Sequence, residues 1–209
     1  MLVHARGARK PKSKFLACAQ VFTYGDYVLA EGRGFRSVTQ AEIIESFYNL
    51  RCDYDRLVAA HMIVEVCEKS LLEDVSADGL LQLVLKALSH LAKGAYPPLQ
   101  VSGVFLLRFF LWYGLAPQTE YCCVCEVPLE EMASIRFANE GVRCAGHNSG
   151  LEEVTAALTI TNSAALALRH VFTSSLSQSF SFKASEAVIS ELQRMGRVLL
   201  NSHFDWRLK

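Results

Sequence analysis

Two short pairs of metal-binding residues constrain this chain more than any other feature of its sequence. Cys122-x-x-Cys125 is followed, after eighteen residues, by Cys144-x-x-His147. A gap of two residues lets one turn direct both side chains at a single ion, and the intervening segment must then fold back to deliver the second pair. The spacing therefore predicts a tetrahedral Zn²⁺ site whose ligands are Cys122, Cys125, Cys144 and His147.

The number of ligands indicates what such a site can do. Four protein ligands leave no position for water, whereas catalytic zinc sites keep one open. The zinc-deaminase signature is absent, and the spacing does not match a ββα finger that enters a DNA groove. A redox pair formed by Cys122 and Cys125 is an alternative, but it would not need the second pair. We therefore predict a structural site, with Cys123 as a packing thiol beside it.

Cysteine usage and hydropathy indicate the class of protein. Seven cysteines are an odd number, and those outside the cluster are scattered, which favours metal ligands and free thiols in a reducing compartment. Residues 1–14 contain no apolar core of a signal peptide. The most apolar run, Val101–Leu115, contains Arg108 and is too short to span a bilayer. With 51% hydrophobic residues, the sequence predicts a soluble protein with a packed core.

The first 45 residues favour strands. Met1–Ala8, Phe22–Ala30 and Phe35–Ala41 have strand-like patterns, and the polar segment 9–14 between the first two contains Pro11. Gly32 and Gly34 predict a tight turn between the second and third strands. Three strands are few for a closed β-domain, because its edges must be paired or covered.

From Asp53 onwards the hydrophobic period becomes helical. Asp53 or Asp55 is expected to cap a first helix, whose apolar stripe would contain Leu57, Ala60, Val64, Cys67 and Leu71. The further helices are predicted from Ser76 to about Gly94, over Leu99–Leu115, over Thr161–Leu176 and over Ala184–Phe204. The third is apolar on nearly every side, which is typical of a central buried helix.

The formal net charge is zero, but the charges are unevenly distributed. Residues 1–40 contain seven Lys/Arg and two Asp/Glu, whereas residues 41–80 contain three Lys/Arg and nine Asp/Glu. The basic residues of the first part are Arg6, Arg9, Lys10, Lys12, Lys14, Arg33 and Arg36. A solvated charged face would explain them. A surface for single-stranded nucleic acid would explain them equally well, with Phe15, Phe22, Tyr24 and Phe35 as stacking platforms.

No catalytic signature accompanies these features. The sequence contains no Walker loop, no recognisable Ser/His/Asp grouping and no paired-carboxylate pattern. We therefore favour a function that is not enzymatic.

Four stretches taken together resemble the RecO family of bacterial DNA repair and recombination mediators. They are Val3–Ser13, which reads V-H-A-R-G-A-R-K-P-K-S; Glu31–Gly34 with Val38–Glu42; Leu115–Pro117 through His147; and the C-terminal Asn201–Lys209. The resemblance covers essentially the whole chain, and the order of the stretches is specific. Two departures are visible. The family has about two more strands before the equivalent of Val3, so an N-terminally truncated barrel is expected, and His147 stands where most members have Cys.

The resemblance implies an α+β, mostly α fold. A partial N-terminal OB-fold (1–50) that binds nucleic acid would precede a helical domain (51–209) with an inserted zinc module (119–150). It also implies a mediator in the bacterial cytoplasm that binds single- and double-stranded DNA and anneals strands. Its protein partners would be RecR and the C-terminal tail of the single-strand binding protein SSB, and through them it would help to load RecA.

Carried onto this sequence, the DNA-binding residues would be Arg6, Arg9, Lys10, Lys12, Lys14 and Arg33. Two alternatives stay open: a zinc-stabilised protein-interaction adaptor without DNA binding, and a zinc or thiol enzyme.

Overall fold

The computed structural model describes residues 2–32, 34–71, 77–147 and 157–204. This part of the chain contains an N-terminal sheet, three consecutive helices, a small second sheet and two final helices. The strands are β1 (Val3–His4), β2 (Tyr24–Glu31), β3 (Arg36–Glu45), β4 (Ile135–Ala138), β5 (Gly141–Cys144) and β6 (Leu158–Ile160). The helices are α1 (Tyr54–Ser70), α2 (Asp78–Lys93), α3 (Pro98–Tyr113), α4 (Asn162–Thr173) and α5 (Glu186–His203). The predicted α+β, mostly α fold is confirmed.

The N-terminal sheet has the strand order β1-β3-β2. β2 and β3 form an antiparallel hairpin, in which the N–H of Gly32 donates to the carbonyl of Phe35 at 2.9 Å. β1 pairs with β3 in parallel, through Val3 opposite Arg36. β2 begins two residues later than predicted, because Phe22 has a φ of 65°, which is not compatible with a strand.

The termini of the helices follow the local signals. The side chain of Asp53 accepts a hydrogen bond from the N–H of Arg56 at 3.0 Å and so caps α1. Gly94 and Gly114 end α2 and α3 in the left-handed conformation. The predicted stripe of α1 is wrong in part, since Val64 is 39% exposed while Ile63 and Val66 are fully buried. None of the helices in the described ranges has both the length and the apolar character needed to cross a membrane.

α3 is the central helix. Every residue from Gln100 to Phe110 except Arg108 is buried, and α3 packs against each of the other four helices. It packs tightly against α5, where a Cβ atom placed on Gly196 would lie 2.8 Å from the Cβ of Leu106. The exception, Arg108, donates from Nη1 to the carbonyls of Val171 and Ser174 at 3.1 and 3.0 Å. Its charge therefore caps the C-terminal end of α4, where helix carbonyls lack intrahelical partners.

The segment between α3 and α4 folds onto the same core. β4 pairs with β5 and with β6, both antiparallel, although the sequence pattern did not predict these strands. Phe137 and Val142 are fully buried and belong to one hydrophobic cluster with residues of α3 and α5. Changes in the small sheet are therefore expected to alter the packing of the last two helices.

Candidate metal centre and cationic surface

The four residues of the two pairs come together in space. Their ligand atoms all lie within 4.8 Å of one another, so the group could hold a metal ion. Sγ of Cys125 is 3.7 Å from Sγ of Cys144, and Nδ1 of His147 is 3.2 Å from Sγ of Cys144 and 3.9 Å from Sγ of Cys122. A zinc tetrahedron with bonds of about 2.3 Å to sulfur and 2.0 Å to nitrogen has edges of about 3.8 Å and 3.5 Å. The donor set and its spacing fit a zinc ion.

Local backbone geometry positions each pair. In the first turn the N–H of Glu126 donates to the carbonyl of Cys122 at 2.9 Å, and the N–H of Cys122 donates to the carbonyl of Val127 at 2.9 Å. Glu126 takes a left-handed φ of 59°, which reverses the chain directly after Cys125. The second pair is placed by the end of β5 at Cys144 and by the short 3₁₀ turn Ala145–His147.

Backbone donors favour a thiolate at Cys122. Burial raises the pKa of this thiol, but hydrogen bonds from the N–H groups of Cys144, Cys125 and Val124 lower it by more than burial raises it. The resulting pKa is about 6, below the ordinary value for a cysteine. The N–H of Cys144 lies 3.4 Å from Sγ of Cys122. A deprotonated sulfur is the form that binds zinc, so Cys122 is prepared as a ligand near neutral pH.

Cys123 is not one of the four residues that come together as a possible metal site in the described part of the chain. Its N–H donates to the carbonyl of Val142 at 3.0 Å, which ties the first turn to β5. Burial raises the pKa of its thiol, as it does for Cys67 in α1, whose pKa rises to about 12. Both residues therefore behave as neutral thiols at neutral pH.

Gly141 allows β5 to lie directly against Gln118, in the segment that precedes Cys122. Its φ is 136°, and a Cβ atom at this position would lie 2.2 Å from the carbonyl oxygen of Gln118. The N–H of Val142 donates to that same carbonyl at 2.9 Å. A side chain at position 141 would separate the two segments and displace β5, which carries Cys144.

We expect Gly141→Ala to destabilise the protein by about 3 kcal/mol, because it combines backbone strain with the loss of this contact. Chemical denaturation would measure the effect. Gly146→Ala is the matched control, since no atom lies within 4 Å of its added Cβ and its φ is not positive. Equal stability losses in the two variants would contradict the role given to Gly141.

The predicted basic residues lie on a segment of consecutive turns between β1 and β2. Arg6, Arg9, Lys10, Lys12 and Lys14 are all exposed. Within the described ranges, Arg6, Arg9, Lys10 and Lys12 have no ion-pair partner. Arg33 lies outside the described residues. These four free cations, which we call the cationic surface, are available to an anionic partner.

A small hydrophobic cluster anchors this segment to the sheet. Phe15 and Cys18 are buried against Val38 of β3. The hydroxyl of Tyr27 donates to the carbonyl of Cys18 at 3.0 Å, and Nζ of Lys14 donates to the carbonyl of Thr39 at 3.2 Å. Lys14 therefore has a structural contact that the cations of the cationic surface lack.

The aromatic residues between the basic ones do not form the predicted set of stacking platforms. Phe15 is buried, while Phe22 and Tyr24 pack against the main core, with the Phe22 ring 5.2 Å from that of His61. Phe35 lies on the hairpin beside the ring of His4, and 59% of its surface is exposed. The sequence could not distinguish these cases, because each aromatic residue stands in a similar local pattern.

Comparisons with known proteins agree with this architecture. The family model described as "Recombination protein O C terminal" matches residues 51–209, and "Recombination protein O N terminal" matches residues 1–47. The chain is 35% identical to "DNA repair protein RecO" of Acetivibrio thermocellus over 92% of this chain and 76% of that protein. It is 29% identical to "DNA repair protein RecO" of Exiguobacterium sibiricum over 98% of this chain and 79% of that protein. The chain therefore belongs to the RecO family of recombination proteins.

Proposed function

We propose that this protein is a mediator of DNA repair and homologous recombination that binds DNA through the cationic surface. The observation that carries the proposal is the set of exposed cations at Arg6, Arg9, Lys10 and Lys12, which have no ion-pair partner among the residues that the structure describes. Such residues replace condensed counterions along a phosphate backbone, and the released counterions drive binding without reading the sequence. Family membership supplies the biological setting, because the curated relatives are named DNA repair proteins.

The mediator function would proceed by contacts rather than chemistry. We propose that the chain binds single- and double-stranded DNA, anneals complementary strands, and acts with RecR and the SSB tail to load RecA onto SSB-coated DNA. These partners come from the family resemblance, as does a bacterial cytoplasmic location. We also propose that residues 1–50 form the DNA-binding unit and residues 51–209 the helical domain.

The metal centre is proposed to hold Zn²⁺ in a structural role. Cys122, Cys125, Cys144 and His147 would occupy all four tetrahedral positions, and no position would remain for a substrate. When bound, the ion would fix the turn at Cys122–Cys125 to the end of β5. A closed site would exclude catalysis at this ion, and we propose that the protein is not an enzyme.

A salt titration of DNA binding would test the proposal. The affinity of the chain for a fluorescent single-stranded oligonucleotide would be measured from 50 to 400 mM salt, and we expect log affinity to fall linearly with log salt. Annealing of complementary strands coated with SSB would be compared with strands coated by SSB that lacks its tail. If the chain bound a peptide of the SSB tail but did not bind DNA even at low salt, the result would instead support the alternative of a protein-interaction adaptor without DNA binding.

A further inference from the structure

Solvent reaches the three cysteines of the metal-binding group to different extents. Cys122 is buried, Cys144 is half-buried and Cys125 is exposed. Sγ of Cys125 lies 3.7 Å from Sγ of Cys144. Because a disulfide has a sulfur–sulfur distance of about 2.05 Å, the two atoms would need to approach by less than about 2 Å. One thiol is therefore open to a reagent from solution, with a second thiol next to it.

We propose that Cys125 and Cys144 form a site of reversible oxidation by hydroperoxides, at which a disulfide takes over the link that the metal provides. The thiol of Cys125 would first lose its proton to solvent, and its sulfur would then attack one peroxide oxygen and break the O–O bond. With one proton from solvent, this gives a sulfenic acid and, from hydrogen peroxide, water. The thiolate of Cys144 would then attack the sulfur of Cys125, and the departing hydroxide would take a proton to become water. Two electrons thus pass from the two sulfurs to the peroxide.

The position of Cys122 explains why it would be spared. Its sulfur is buried and accepts the N–H of Cys144 at 3.4 Å, so a peroxide meets Cys125 first. Once Cys125 is a sulfenic acid, its sulfur lies next to Sγ of Cys144, which is half-buried and so more accessible than Cys122.

The new bond would preserve the architecture of the module. It would join the first turn to the end of β5, which are the two segments that the metal ligands join. β5 would stay paired with β4, and Phe137 and Val142 would stay buried. Only Cys122 and His147 would remain as donors, which is too few to retain zinc. This last step rests on the metal assignment proposed above, whereas the disulfide requires only the two thiols.

Peptide mapping of the native protein tests the proposal directly. Zinc content would be measured first, and hydrogen peroxide would then be added in equimolar steps before free thiols are alkylated and the chain is digested with trypsin without reductant. Cleavage after Arg108, Arg136, Arg143 and Arg169 places Cys122, Cys123 and Cys125 in peptide 109–136 and Cys144 in peptide 144–169. We expect these two peptides to be crosslinked, and we expect tandem mass spectrometry to place the bond between Cys125 and Cys144. One zinc ion should be released per crosslink, and the far-ultraviolet circular dichroism spectrum should stay unchanged. Dithiothreitol with zinc should reverse the change.

Cys52→Ser is the control, since Cys52 is an exposed cysteine outside the metal-binding group. This variant should give the same crosslink and the same zinc release. A bond from Cys144 to Cys122 or Cys123, a bond inside peptide 109–136, accumulation of sulfinic acid without a crosslink, or loss of the circular dichroism signal would overturn the proposal. A crosslink formed in protein that never contained zinc would support the oxidation site and refute only the metal assignment.

Discussion

Replacement of Cys122 by Ser is expected to lower the melting temperature of the protein by more than 10 °C. The substitution removes one of the four residues proposed to bind zinc and leaves a buried hydroxyl where a buried sulfur accepts a backbone N–H. Zinc binding contributes roughly 10–16 kcal/mol to the folding of small structural sites, and we expect about half of this to be lost here because the strands also pack on the core. In a domain of this size each kcal/mol corresponds to about 2–4 °C. Differential scanning calorimetry with and without added zinc would measure the change.

The neighbouring position provides a matched control. Cys123→Ser makes the same chemical change one residue away, outside the metal-binding group. We expect this variant to keep its zinc and to melt within a few degrees of the unmodified protein. A strong chelator should reproduce the Cys122→Ser result in the unmodified chain. If the two serine variants have the same melting temperature and neither loses metal, the assignment of Cys122 as a ligand is wrong.

Simultaneous replacement of Arg6, Arg9, Lys10 and Lys12 by Ala is expected to reduce DNA affinity on the order of a hundredfold in about 0.1 M salt. Each phosphate contact with single-stranded DNA contributes about 0.7 to the slope of log affinity against log salt, so four contacts contribute about 3. Over the tenfold interval from 1 M to 0.1 M salt, this slope corresponds to two to three orders of magnitude. Fluorescence anisotropy at several salt concentrations would measure both quantities.

The structure makes this test specific. Lys14 is left unchanged because its Nζ donates to the carbonyl of Thr39, and its removal would disturb the anchor of the segment. The four replaced side chains are exposed, so the melting temperature should stay nearly constant. A second variant with Arg6→Lys and Arg9→Lys keeps the charge and should keep the salt slope. A slope that the alanine variant leaves unchanged would place DNA binding elsewhere on the molecule.

Local sequence signals predicted much of this architecture. Asp53 was one of two predicted caps for α1, and the helix ends at Gly94 and Gly114 were predicted from residues within a few positions of each terminus. The apolar pattern also predicted a central buried helix at α3, where Val101, Val104 and Phe105 are fully buried. These features depend on hydrogen bonds and side-chain periods within single helices, which a linear sequence displays directly.

Features that depend on distant partners were not predictable in this way. The strands β4, β5 and β6 have only three or four residues each, too few to give a clear period, and they form because they pair with one another and bury Phe137. The face of α1 that is buried differs from the predicted stripe, because the helices packed against it determine which residues are covered.

The spacing of two pairs with a two-residue gap predicted which four residues come together as a possible metal site. The linear sequence also shows where the positive charge lies along the chain. The tertiary structure alone decided that Arg108 caps α4, that Phe15 is buried while Phe35 is exposed, and that Cys125 is the exposed thiol of its group. The physical reason is the same in each case. Ligand spacing and charge are properties of neighbouring residues, whereas burial and hydrogen-bond partners are set by segments that meet only after folding.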